Sequence, residues 1–457
     1  MKIKALFCLL IIGYFFHVSS VSAVDKNKID PKLWQQMQIP TFVPQDITYI
    51  VELRGVTGLR LENFGGDKAA FKKGLRDMHE SARENLSELL FELREQGQVK
   101  SIEPLWIVNY AIVTGTPESV AQVSDVTDVI HIYYNHVYEV PKTPETKKKE
   151  KAKYTWGLTM INAAEAWSLG AKGQGITVGI LDTGVDANHP DLKGKIKKFL
   201  NVTDDEGSSA GFDGQGHGSH TAGTIVGGSK GGTHIGVAPR AKLIAVKIFT
   251  AAGRTKLSWI MRAMQFIADP DGNLDTDDTP KVCSNSWGGT PQSYTMEKPR
   301  WKIVEKWRQL GMVPVFANGN SGPRPSTTGS PAGYPHSFAV GATASKDEIA
   351  YFSSRGPIKW QGKSYIKPDI SAPGHGITSV KDGGGYRSLS GTSMACPHIA
   401  GVCALVLSVN PNLSVRQVES IIESTSLDLG SNGKDNSFGK GRVDAAAAVR
   451  KALKIKK

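Results

Sequence analysis

An aspartate, a histidine and a serine each stand among glycines and other small residues. Asp182 closes the apolar run Ile176-Thr177-Val178-Gly179-Ile180-Leu181 and is followed by Thr183-Gly184. His217 lies in Gly216-His217-Gly218-Ser219-His220-Thr221-Ala222-Gly223, and Ser393 in Gly391-Thr392-Ser393-Met394-Ala395-Cys396-Pro397-His398. Taken singly, each has an ordinary structural use: aspartate caps turns and helices, a histidine among small residues is more often a satisfied structural group, and serine is a common N-cap. His220, one turn beyond His217, shows that not every histidine here is chemical. Taken together, the three supply the parts of nucleophilic acyl transfer. These are a hydroxyl to attack, an imidazole to carry its proton and a carboxylate to orient the imidazole.

The elements that must hold these residues follow from hydrophobic period. The run ending in Asp182 reads as a strand, which places the carboxylate at a strand's carboxyl end, where open α/β sheets build their sites. Ser393 opens a long apolar segment that reads as a helix to Val409. A helix amino terminus offers unpaired N–H groups and a partial positive charge to an oxyanion forming nearby. Residues 176–181, 243–249, 281–285, 313–317 and 338–342 read as strands, and 258–267, 296–310 and 394–409 as helices. That alternation predicts an α/β fold, a mostly parallel sheet with helices on both faces.

Residues 24–140 have a different texture. A strand at 48–53 precedes a charged run of helical spacing at 68–96, in which Leu86, Leu89, Leu90 and Leu93 fall on one face. Residues 99–114 are rich in β-branched and aromatic side chains, 117–126 read as a helix and 129–140 as a strand. The order β-α-β-β-α-β predicts a small α+β, ferredoxin-like domain. Residues 141–153, lysine-rich with two prolines, read as a linker, and 154–457 as the second domain.

Composition narrows the function classes. The chain has 457 residues, 40% hydrophobic and 21% charged, enough for one large core and a smaller second domain. Its net charge of +12 invites an anionic partner, yet the lysines concentrate in 147–153 and 451–457, with no aromatic residues interleaved. This pattern argues against nucleic acid and membrane surfaces as partners. Lys2 and Lys4 precede the apolar run 5–16, and Val21-Ser22-Ala23 offers a small-residue cleavage pattern, so residues 1–23 read as a signal peptide. The expected location is therefore extracellular or periplasmic, without a membrane anchor once the signal is removed. Of four cysteines, Cys8 lies in that signal, leaving Cys283, Cys396 and Cys403 as expected buried thiols rather than a disulfide framework.

Several motifs carry a resemblance: Asp182-Thr183-Gly184-Val185-Asp186, His189-Pro190-Asp191-Leu192, the segment around His217, Ile235-Gly236-Val237-Ala238-Pro239, Ser284-Asn285-Ser286-Trp287-Gly288-Gly289 and residues 391–401. Over residues 156–452 the chain resembles the subtilisin-like serine proteases, whose triad runs in the order Asp, His, Ser. The resemblance implies a serine endopeptidase acting on extended polypeptide, with Asp182, His217 and Ser393 as triad and Asn320 as the oxyanion-hole amide. It further implies that Ser286, Trp287 and Gly288 line the substrate backbone and that Ala317, Asn318 and Gly319 wall the primary specificity pocket, Trp287 having plain core as its alternative. Ser219 stands where the family usually has threonine, and Cys396 where it usually has a small residue.

The first domain resembles the family's inhibitory propeptide, most visibly in residues 105–109 and 114–116. This implies a precursor that assists its own folding, blocks its own cleft and cuts itself between about residues 140 and 154. Calcium, a structural ion in the family, is expected at Asp191 by resemblance. The acidic run holding Asp269, Asp271 and Asp275 is a second candidate, with a solvated loop as its alternative; no cofactor is required for the chemistry. The competing functional class is a catalytically silent binding protein of the same fold. An esterase would need an acyl pocket and lid that the sequence does not identify.

Overall fold

The computed structural model describes residues 24–39, 45–55, 58–146, 152–291 and 293–455; the expected signal segment and residues 147–151 of the expected linker lie outside these. The first part runs α1 (Pro31–Met37), β1 (Ile47–Leu53), α2 (Lys68–Ala82), α3 (Glu84–Glu95), β2 (Val99–Leu105), β3 (Tyr110–Gly115), α4 (Pro117–Asp125), β4 (Val129–Tyr134) and β5 (Val137–Glu139). Strands β1 to β4 form an antiparallel sheet in the order β2-β3-β1-β4, the split arrangement that the β-α-β-β-α-β pattern predicts.

The charged run expected as one helical stretch is two helices, broken at Arg83 (φ −101°, ψ 5°). The break lets two faces go to different cores. Leu86, Leu90 and Leu93 of α3 bury beneath the small sheet, whereas Phe71 and Leu75 of α2 bury in a cluster shared with the second part of the chain.

That second part continues with α5 (Trp156–Met160), α6 (Ala163–Ser168), β6 (Thr177–Asp182), β7 (Ile196–Asn201), α7 (His217–Val226), β8 (Lys242–Lys247), β9 (Arg254–Lys256), α8 (Leu257–Ala268), β10 (Val282–Asn285), α9 (Tyr294–Gln309), β11 (Val313–Ala317) and β12 (Phe338–Thr343). Two short hairpins, β13 (Ile358–Trp360) with β14 (Lys363–Tyr365) and β16 (Ile377–Val380) with β17 (Tyr386–Leu389), flank β15 (Ile370–Pro373). Helices α10 (Thr392–Val409), α11 (Val415–Ser424) and α12 (Ala445–Lys454) close the chain.

A seven-stranded parallel sheet in the order β15-β12-β11-β10-β6-β8-β7 forms the centre. Its inner strands read as continuous apolar runs because helices cover both faces. One face holds α7, α10, α11 and α12, the other α8 and α9 together with side chains of β1, α2 and β3. Helix α10 is long and apolar enough to cross a membrane by composition, but 89% of it is buried, as befits a core helix. From β6 the order runs outward to β8 and β7 on one side and to β10, β11, β12 and β15 on the other. The switch point therefore lies between β6 and β10, and a crevice is expected outside their carboxyl ends.

Candidate active site

Asp182 is the last residue of β6, on one side of that switch point, and is 2% exposed. His217 opens α7, and its Nδ1 lies 2.7 Å from Asp182 Oδ1. The carboxylate also accepts from Thr183 N at 2.8 Å and from Thr221 Oγ1 at 3.1 Å, so both oxygens are committed and Nδ1 is the protonated ring nitrogen. Glycine makes the approach possible. A Cβ on Gly218 would sit 2.0 Å from the Gly184 carbonyl oxygen and 3.1 Å from Asp182 Cβ.

Asp213, not anticipated from the sequence, fixes this junction. Its carboxylate accepts from Thr183 Oγ1 (2.8 Å), Gly216 N (2.7 Å), Ser219 N (2.7 Å) and Ser219 Oγ (2.8 Å), while Thr183 Oγ1 accepts from Gly218 N at 2.8 Å. One buried carboxylate thus takes the Gly216 and Ser219 N–H groups at the start of α7 and, through Thr183, ties that helix to the end of β6. An acidic residue shortly before a helix start was the available signal.

Ser393 is the second residue of α10, fully buried, where a backbone N–H has no intrahelical acceptor. Pro397 lacks the N–H that would bond the Ser393 carbonyl, and that carbonyl instead accepts from Ser286 Oγ at 2.8 Å. The Ser393 hydroxyl donates to the Ser286 carbonyl at 3.0 Å. His217 Nε2 is buried without a hydrogen-bond partner. The structure therefore joins His217 to Asp182, while Ser393 bonds the Ser286 carbonyl and makes no hydrogen bond to His217 Nε2.

Asn320 is oriented by Thr392, whose N and Oγ1 both donate to its Oδ1 at 2.9 Å. With the oxygen occupied, Nδ2 is the end left to meet an anion beside Ser393. Ser286 to Gly288 and Ala317 to Gly319 extend from β10 and β11 as two walls. Gly329 and Ser330 bridge them: Gly329 N donates to Asn318 O at 2.8 Å, and Ser330 exchanges backbone bonds of 2.9 Å with Gly289. The Trp287 ring is core, edge-on to Phe316 at 5.7 Å, so only its backbone is placed to line a cleft.

The chain itself crosses this site. β5 pairs antiparallel with β9, Val140 N donates to Gly253 O at 2.8 Å, Ser390 N to Pro144 O at 3.0 Å and Thr146 N to Ser388 O at 2.8 Å. Between these anchors the Thr143 methyl would lie 3.1 Å from a Cβ on Gly391, and Asn320 Nδ2 3.2 Å from it.

The expected metal residues behave differently from one another. Asp191 Oδ1 accepts from Lys230 N at 2.8 Å, and Oδ2 accepts from the Tyr386 hydroxyl, which leaves each oxygen a second lone pair. Asp269 and Asp271 do converge, but with Asp278 rather than with Asp275, which pairs with Lys73. The buried Lys72 ammonium of α2 sits against this group, 2.7 Å from Asp269 Oδ1 and 3.9 Å from Asp278 Oδ1. Oxygen donors of this kind suit calcium, and here a lysine takes the cation's part.

All three described cysteines are free and buried. Burial pushes the Cys396 thiol up to about 11, and its sulfur lies 3.6 Å from Ser284 Oγ, so the thiol is packing rather than a nucleophile.

A doubly wound parallel sheet with a buried Asp–His pair at its switch point and a serine at a facing helix start defines an enzyme of the serine-nucleophile class. The profile of the Subtilase family matches residues 173–441, and the chain belongs to that family of serine peptidases. It is 33% identical over 415 residues to Bacillopeptidase F of Bacillus subtilis (strain 168), an overlap covering 84% of this chain and 28% of that protein. It is 36% identical over 299 residues to Subtilisin E of the same strain, covering 65% of this chain and 71% of the relative. Subtilisin of Bacillus pumilus is 35% identical over 297 residues, covering 65% and 98%.

Proposed function

We propose that the chain is a secreted serine endopeptidase made as a self-processing precursor. His217 Nε2 takes the Ser393 proton as Oγ attacks the scissile carbonyl, and Asp182 holds the imidazole in the tautomer that can do so. For this the hydroxyl leaves the Ser286 carbonyl, which is then free to accept from a substrate N–H. Asn320 Nδ2 and the Ser393 N–H bind the developing oxyanion. The protonated His217 gives its proton to the leaving amine, and water, activated by the same imidazole, releases the acyl group.

The observation that carries this reading is residues 137–146 lying extended across the site, along β9 on one side and β17 on the other. Residues 24–146 are then an inhibitory propeptide, cut by the enzyme near this segment, and other polypeptides occupy the same track as added strands. Residues 1–23 direct export. Calcium enters as a structural ion, at Asp191 by family likeness or, once Lys72 leaves, at Asp269, Asp271 and Asp278; it has no part in the chemistry.

A silent binding protein is the second reading, favoured by the engagement of Ser393 with Ser286. Expressing the full chain and its Ser393→Ala variant in parallel, and following chain size and casein hydrolysis, separates the two. Shortening with casein cleavage in the parent and neither in the variant is the expected result. A parent that folds, stays full length and remains inert overturns it.

A further inference from the structure

The pocket that receives Tyr138 is lined by a cation. In β5, Val137 and Glu139 face outward and Tyr138 turns in, opposite Thr255 of β9. The guanidinium carbon of Arg300, on α9, lies 4.7 Å from the centre of the Tyr138 ring. Arg300 is 3% exposed, and its Nη2 donates to Glu297 Oε2 at 2.6 Å.

Glu297 also accepts from Ser330 Oγ at 2.5 Å and from the Tyr334 hydroxyl. The guanidinium is thereby fixed to Ser330, the residue that pairs with Gly289 at the base of the neighbouring pocket. Its Nε–H is buried without a hydrogen-bond partner, a donor that the negative face of a ring can satisfy.

We propose that Arg300 makes this pocket select aromatic side chains, so that substrates carrying tyrosine or phenylalanine where the precursor carries Tyr138 are preferred to aliphatic ones of equal bulk. The inference rests on the protease reading. An acidic side chain gains little here, because Glu297 already neutralises Arg300 and would face it at close range. A ring brings a quadrupole without a net charge, and that interaction strengthens with desolvation, which is near complete for Arg300 and partial for Tyr138. An apolar pocket of the same shape would rank side chains by area removed from water and would take cyclohexylalanine at least as well as phenylalanine.

The test uses the full chain, expressed and allowed to process, and quenched peptides spanning residues 136–146. The position of Tyr138 is varied through tyrosine, phenylalanine, mono-, di- and trifluorophenylalanine and cyclohexylalanine. The expected result is a stepwise fall in kcat/KM with each fluorine, and a total preference for tyrosine over cyclohexylalanine of about five- to thirty-fold. Arg300→Gln should flatten the series. If that variant does not fold, the peptide series on the parent decides alone. Equal rates across the series, or a preference for cyclohexylalanine, overturn the role of Arg300 while leaving the protease intact. A chain inert towards casein as well as every peptide overturns the protease reading, and this inference with it.

Discussion

Asn320 illustrates how a single side chain is aimed. A carboxamide has two chemically opposite ends, and here two donors from Thr392 claim the oxygen, so the amide hydrogens face the place where negative charge would develop. Asn320→Ala should lower kcat by about 10² to 10³ with little change in KM, the loss known for removing this donor from a subtilisin; peptide hydrolysis under saturating and limiting substrate separates the two constants. Asp213 acts one step further away, through the backbone that carries His217. Asp213→Ala strands buried N–H groups of Gly216 and Ser219 and should cost about 2–4 kcal/mol of stability. Urea unfolding in the Ser393→Ala background measures this without self-digestion.

At the scale of elements, the proposed mechanism requires a close approach of α7 to β6. Gly218→Ala would drive a methyl into the Gly184 carbonyl, and neither partner is a flexible side-chain end. The helix must shift, and kcat should fall by about 10²-fold or more, since displacements near an ångström already cost that much; a retained far-ultraviolet circular dichroism spectrum would show that the fold survives.

The strands that carry the site were legible because they are buried on both faces and read as unbroken apolar runs, as in β6, β10 and β11. Edge strand β7, with Lys197 and Lys198 in its middle, gave no such signal. The segments that carry Asp182, His217, Ser393 and Asn320 were legible as motifs. Asp213, Thr392 and Arg300 were not, because their roles come from contacts between segments far apart in sequence. The same limit applies to the acidic loop, where Asp278 rather than Asp275 closes the cluster only once the loop has turned.

For the molecule as a whole, buried neutral histidines set an acid limit. Burial, with Arg387 and His217 nearby, holds His220 down to about 3, and burial holds His398 down to about 4, against an ordinary 6.5. The unfolded chain therefore takes up protons that the folded chain refuses. Their stabilisation is complete above pH 6.5 and is lost as the pH falls towards about 4 and about 3, at about 1.4 kcal/mol per pH unit for each histidine. Urea midpoints of the Ser393→Ala chain across that range should fall accordingly, and His398→Gln should make the dependence shallower.

The segment 137–146 has a kinetic meaning as well as a geometric one. A chain whose own peptide already rests in its cleft does not wait for a collision, because the local concentration of that peptide is set by the fold and not by the flask. The first cut should be unimolecular. Diluting freshly folded precursor a thousandfold should leave its maturation half-time unchanged, whereas a half-time that lengthens with dilution would mean that one molecule cuts another and that the threaded segment serves as a plug alone.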